Sequence, residues 1–258
     1  MTAFLGTSAW AGSLAEARDL FTAGEYNAAI DMARAENTPD GLVLAAETLS
    51  AKVMLGFVED HNRSAKQAKK WAERAVKADP NSHEARVQFA LAFGFETRTS
   101  SPFRAWRKKL PKKTLAAIDM VRTSFPEDPR GDALLGAWHL GIVRKAGAKR
   151  GRNMFGADEA LGVGGYEKAV AAAPDDIVIG SNYAVTILAL DTEKYFTRGT
   201  EVLRHIVSVP AKNAVETEIQ RRMRVLLLFS EDKETLSKAV TDLIDAGAPP
   251  MPAENSAE

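Results

Sequence analysis

Tyr166-Glu167-Lys168-Ala169-Val170-Ala171-Ala172-Ala173-Pro174-Asp175-Asp176 and Glu73-Arg74-Ala75-Val76-Lys77-Ala78-Asp79-Pro80-Asn81 share one plan. An aliphatic helix face carries an alanine five residues ahead of a proline. An acidic or amide residue follows. Proline lacks an N–H and pushes the residue before it away from the helical region, so it ends a helix. The Asp or Asn that follows can cap the next one. Small alanines let two helix axes approach closely. The plan returns in Leu115-Ala116-Ala117-Ile118-Asp119-Met120, followed by Phe125-Pro126-Glu127-Asp128-Pro129. Half of it appears in Ala23-Gly24-Glu25-Tyr26-Asn27-Ala28-Ala29-Ile30, a turn that opens a helix. Strand-like alternation is almost absent, so the repeat predicts an all-α chain of helical hairpins.

These pieces resemble the tetratricopeptide (TPR) repeat family. In that family Gly-Asp/Glu-Tyr opens helix B, small residues seat helix B on helix A, and a proline ends it. The resemblance implies a right-handed α-solenoid of about six helix-turn-helix hairpins. Pro80, Pro129 and Pro174 are spaced by 49 and 45 residues. The family period is ~34, so loops within the hairpins carry insertions. A narrower likeness covers residues 62–175. There Ser64–Ala75, a basic segment, and Leu134-Leu135-Gly136-Ala137-Trp138 resemble the TPR core of the regulator-of-microtubule-dynamics family. That likeness rests on packing residues, so no role is carried over with it.

Helices are expected at 13–23, 25–36, 39–58, 62–78, 82–97, 103–124, 130–148, 154–173, 176–190, 194–207, 212–229 and 232–246. Ser13 with Glu16 has the form of a capping box opening the first. The organisation expected is a lead-in or signal remnant at 1–12, a repeat domain at 13–247 and a flexible tail at 248–258. Val225 to Phe229 reads as a buried helix face.

The chain has 258 residues and no cysteine, which excludes disulfides, thiolate metal sites and a cysteine nucleophile. No apolar run approaches the ~20 residues of a membrane-spanning helix. The histidines His61, His83, His139 and His205 show no metal-binding spacing, and His139 beside Trp138 reads as a packing histidine. Gly162-Val163-Gly164-Gly165 lacks the strand and lysine of a phosphate loop and reads as a break at or within a helix. Glu127-Asp128 and Asp175-Asp176 sit where helix N-termini favour negative charge, so they read as caps. No catalytic motif, metal site or cofactor site is expected.

Charge is more informative. Lys+Arg and Asp+Glu both total 34. Between Arg98 and Arg152 stand fourteen basic and four acidic residues, leaving twenty against thirty elsewhere. Two clusters dominate, one with Arg104, Trp106, Arg107, Lys108, Lys109, Lys112 and Lys113, the other with Lys149, Arg150 and Arg152. Equivalent loops of a stacked array share an edge, so both are candidates for one basic rim. A rim of this kind suits an acidic protein, or an anionic lipid surface beside Phe103 and Trp106. A pI of 6.9 argues against nucleic acid. The concave groove is the second candidate surface: Asn182 and Gln88 fall where the family often has an asparagine that contacts a peptide backbone, and Phe95 lies two turns on from Gln88 on a similar face. Val87, Leu91, Phe95, Leu134/Trp138 and Tyr183/Ile187 recur at helical spacing and read as core.

The function expected is a non-catalytic scaffold or adaptor that binds a protein or peptide partner through its groove or basic edge. The alternative is an exported accessory of solute or lipid handling that docks on a transport component. Ala9-Trp10-Ala11 has the small-x-small form of a signal-peptidase site. It follows a short apolar segment without an upstream Lys or Arg, and it abuts the first repeat. A truncated export signal, hence a periplasmic address, is expected from that pattern. A plain lead-in packing Phe4 or Trp10, with a cytoplasmic address, is the other reading.

Overall fold

A computed structural model describes the backbone of residues 8–246 and the side chains of residues 13–245. Among them are fourteen α-helices, one 3-10 turn and no strand, so the fold is all-α. The signal-like residues before Ser8 and the tail at 248–258 lie outside the described residues. The chain divides into two compact units. The first holds the described residues up to Glu127 plus Asn213–Val215; the second holds Asp128–Lys212 and the residues from Glu216 on.

The first unit contains α1 (Ser8–Ala23), α2 (Tyr26–Ala35), α3 (Pro39–Met54), α4 (His61–Ala78), α5 (His83–Thr99), α6 (Pro102–Arg107) and α7 (Leu110–Ser124). From α1 to α5 each helix packs on the next, α1 and α5 also touch α3, and α7 packs on α5. The seam is made of small residues. Ala65, Ala68, Ala72 and Ala75 form one fully buried stripe on α4, and Ala45 and Ala46 are equally buried on α3.

The second unit contains α8 (Pro129–Ala146), α9 (Ala148–Phe155), α10 (Glu159–Ala172), α11 (Ile177–Leu190), α12 (Thr192–Ser208), most of α13 (Ala214–Leu228), a 3-10 turn (Phe229–Glu231) and α14 (Lys233–Ala246). At the crossing of α8 and α10 the helices approach closely over glycine. A Cβ on Gly136 would lie 2.6 Å from the Tyr166 ring and 2.9 Å from the Gly162 carbonyl. One on Gly162 would lie 2.6 Å from the Leu140 side chain. Tyr166 passes over Gly136 and stacks on Tyr183 of α11, ring centres 5.2 Å apart.

Several expectations are corrected. The first helix already runs at Ser8, so Ser13 lies inside it. The expected helix 103–124 is two helices. Pro111 would clash with the carbonyl four residues back and offers no N–H, so the chain breaks at Lys108-Lys109. Lys109 turns it with a left-handed φ of 54°. An unforeseen helix, α9, stands between Gly147 and Gly156, whose φ values are 80° and 75°. The glycines at 162–165 are no break: they lie inside α10, where Gly162 and Gly165 let α8 come close. Helix α3 stops at Met54. Leu226 is buried but Leu228 is exposed, so 225–229 is only half a buried face.

Of the two acidic pairs, the second residue of each is the cap, while Asp175 meets His205. Asp128 accepts from the Arg130 N–H at 2.8 Å and Asp176 from the Ile179 N–H at 2.8 Å. Val87, Phe95, Trp138, Tyr183 and Ile187 are buried, while Leu91 and Leu134 are half-buried.

Gly136→Ala therefore overpacks the α8–α10 crossing and should cost ~1–3 kcal/mol, read by urea unfolding. Gly164→Ala is the control. Its Cβ meets nothing within 4 Å, and removing a helical glycine should be neutral or stabilise by ~0.5–1 kcal/mol. Equal effects from the two variants would refute the close-approach account.

Candidate functional site

Helix α6 begins with Pro102 at its first turn and runs only to Arg107. It buries no residue. Phe103 is 68% exposed and Trp106 60% exposed. They stand three residues apart and so share a side of the helix. The Arg107 guanidinium lies 5.8 Å from the centre of the Phe103 ring, within cation–π range. Lys108, Lys109, Lys112 and Lys113 follow around the α6–α7 break, all exposed. None of the four makes an ion pair among the described residues. Here the structure brings Arg104, Trp106, Arg107 and the four lysines together on one short stretch of the first unit.

Beside this stretch is a concavity of about 430 Å³ that the sequence reading missed. Asp60, Asn62, Arg63, Lys66, Gln67 and Lys70 line it from α4 and its cap, and Arg104 from α6. Arg63, Lys66 and Lys70 stand at i, i+3 and i+7, one face of a helix. The buried alanine stripe occupies other positions of α4, which is the signal that could have revealed a basic outer face. Asn62 organises the corner. Its Nδ2 donates to Thr99 Oγ1 and Ser100 Oγ, each at 3.1 Å. Its Oδ1 accepts from Lys66 Nζ and, at 3.4 Å, from Arg104 Nη1. Asp60, the carboxylate in the lining, accepts from the Arg63 N–H at 2.8 Å as the cap of α4.

Lys149, Arg150 and Arg152 lie on α9 in the second unit, all exposed. Arg152 pairs with Asp158, whose carboxylate also caps α10 by accepting from the Ala160 and Leu161 N–H groups. Lys149 and Arg150 make no ion pair among the described residues. The two basic clusters thus belong to different units.

The groove residues fare differently. Gln88 and Phe95 are buried, 4% and 9% exposed. The amide of Gln88 donates to Glu84 at 2.8 Å, and Phe95 packs with Val53 and Ala65. Their helical spacing suited a groove wall, but α3 and α4 cover that face, so they are core. Asn182 is half-buried on α11, and its amide donates to the Val178 carbonyl one turn back at 2.9 Å. His139 is also core. Its Nδ1 accepts from the Asp158 N–H at 3.1 Å, and its ring meets the edge of Trp138 at 5.0 Å.

Among the described residues no group of three or more His, Cys, Asp or Glu could hold a metal ion, and no helix is long and apolar enough to cross a membrane. The chain matches no family model, and no curated protein matches it in sequence.

The perturbed titrations of the second unit tie helices together. Arg198 of α12 clamps Glu167 of α10 with two bonds, Nε at 2.9 Å and Nη2 at 2.6 Å, and the Tyr183 hydroxyl donates to the same carboxylate. Burial pushes the Glu167 carboxyl up, but the bonds from Arg198 and Tyr183 outweigh it and hold the group below its ordinary value. Burial, then the bond to Glu167, pushes the Tyr183 hydroxyl up. Lys194 and Tyr195 of α12 likewise donate to Glu159 of α10, at 2.5 Å and 2.6 Å, and lower its pKa.

A carboxylate with a depressed folded pKa binds fewer protons folded than unfolded over this range, so stability rises with pH there. The contribution of Glu167 is present above its ordinary 4.5 and is lost as pH falls through the lower folded value. Glu167→Gln should therefore lower the melting temperature at neutral pH, with a deficit that shrinks as pH drops below 4.5. Thermal melts at stepwise lower pH check this, and a pH-independent deficit would contradict it.

Proposed function

We propose that the chain is a non-catalytic scaffold or adaptor, a TPR-like array of helical hairpins that docks a protein or peptide partner. Sequential and alternate helix packing from α1 to α5, with alanine seams, supports the hairpin-array reading. The resemblance of the Ala-x4-Pro segments to the TPR pattern supports the family reading. The observation that carries the docking role is the set of exposed lysines without ion pairs around the α6–α7 break, Lys108, Lys109, Lys112 and Lys113. Lys149 and Arg150 repeat the pattern on α9. Such charges add little to the stability of a fold, and their loss changes association rate and salt response. The partner segment is acidic by complementarity. Of the groove set, Asn182 keeps partial exposure and stays a candidate peptide contact, whereas Gln88 and Phe95 leave it.

A polyglutamate peptide is the direct probe. The wild-type chain should bind it at low salt and release it as salt screens the contact over a Debye length of about 10 Å at 0.1 M. Reversing the charge in K108E/K112E/K113E should weaken binding by roughly tenfold or more, with the melting temperature unchanged. Unchanged affinity in that variant, measured by fluorescence anisotropy, would remove the edge from the docking role. Loss of binding in Asn182→Ala alone would move that role to α11.

A further inference from the structure

We propose that the concavity between α4 and α6 seats the phosphate of an anionic phospholipid, with Phe103 and Trp106 entering the headgroup–acyl boundary beside it. This goes beyond the scaffold role and does not depend on the acidic protein partner.

Four cations, Arg63, Lys66, Lys70 and Arg104, line one concavity. Two of them, Lys66 and Arg104, converge on a single neutral oxygen, Asn62 Oδ1. Like charges gathered on one acceptor repel unless an anion joins them. The Asp60 carboxylate lies in the same lining and caps α4, so it offsets one of the four charges and leaves the corner cationic. Asn62 itself is fixed by Thr99 and Ser100, so the acceptor that gathers the cations is held before any ligand arrives. Several donors around one hollow suit a compact, multiply accepting anion such as a phosphate.

The aromatic pair selects the source of that phosphate. Phe103 and Trp106 hold their rings in water at 68% and 60% exposure, on the helix that supplies Arg104. A free phosphate ion offers them nothing. A bilayer offers an apolar layer directly beneath a layer of phosphates. Tryptophan favours that boundary because its ring is apolar and its N–H can stay wet. Lys108, Lys109, Lys112 and Lys113 follow in the chain and add attraction to an anionic leaflet. A nucleic acid would present a repeating line of phosphates, whereas these four cations surround one hollow.

The test is co-sedimentation of the full chain with vesicles of phosphatidylcholine alone or mixed equally with phosphatidylglycerol. Binding is expected to the mixed vesicles only and to fall with added salt. Each basic residue near such a surface is worth about fivefold in partition, so K66E/K70E should weaken binding by at least about tenfold. Phe103→Ala/Trp106→Ala should weaken it without altering the phosphate preference. Trp71 and Trp138 are buried, and comparison with Trp106→Phe separates Trp106 from Trp10, so brominated phosphatidylglycerol should quench emission that is missing in that variant. Both double variants alter exposed or half-exposed side chains, and circular dichroism checks that they fold.

Equal binding to neutral vesicles, or full binding by K66E/K70E, would overturn the proposal. So would tighter binding of a single-stranded oligonucleotide or a phosphoserine peptide that the same variants abolish. Polyglutamate binding without vesicle binding would likewise overturn it and leave the scaffold role standing. Vesicle binding without polyglutamate binding would do the reverse.

Discussion

Close approach of helices over small residues is the constraint on which both units depend. At the α8–α10 crossing there is no room for a Cβ on Gly136 or on Gly162. Helix axes that close force every neighbouring side chain to leave sideways. Tyr166 leaves toward α11, where it stacks on Tyr183, and Tyr183 reaches back to Glu167. Glu167 in turn receives Arg198 of α12. A contact between two helices is thereby passed to four. In the first unit the alanine stripe of α4 plays the same part against α3 and α5, with aliphatic and aromatic side chains filling the flanks.

This explains what was legible in the sequence. Ala75 and Ala169 ahead of their prolines record both the close seam and the end of the helix that makes it, so hairpins could be read from spacing alone. Glycine could not be read the same way. A glycine run signals either a turn or a close contact, and backbone entropy favours the turn when the partner helix is unknown. Gly162 and Gly165 belong to the second case because α8 lies against them. Gly147 and Gly156 belong to the first, and between them they isolate α9. Pro111 carried its own warning, since an interior proline breaks the helix that would contain it.

The candidate site was legible as charge and illegible as shape. The run from Arg104 to Lys113 stands out in one dimension. Arg63, Lys66 and Lys70 read only as the outer face of a helix, because they are spaced among the buried alanines of α4. Only folding α6 back beside α4 assembles them with Arg104. The groove residues failed for the complementary reason. Helical spacing places Gln88 and Phe95 in a groove, yet α3 and α4 pack on α5 and both side chains are buried. Gln88 reads as a surface contact from its polarity, although it is buried and its amide N–H donates to Glu84 within the helix.

The distribution of satisfied and unsatisfied charge separates structure from docking. Glu159, Glu167 and Glu218 each receive at least two donors, and those bonds lower their pKa values, so their energy is committed to holding helices. Lys69 is committed inward in the same way, to Glu96 and the face of Phe93. Lys66 and Lys70, on the same helix, are not. One helix thus carries a cation turned to the core and others turned to solvent. A fold under selection for stability alone would gain nothing by gathering Arg104 onto Asn62 beside Lys66, because repulsion between like charges opposes it. That local cost is intelligible where an anion removes it on binding, which is why the corner of α4 and α6, and not the longer lysine run, is the sharper sign of a ligand.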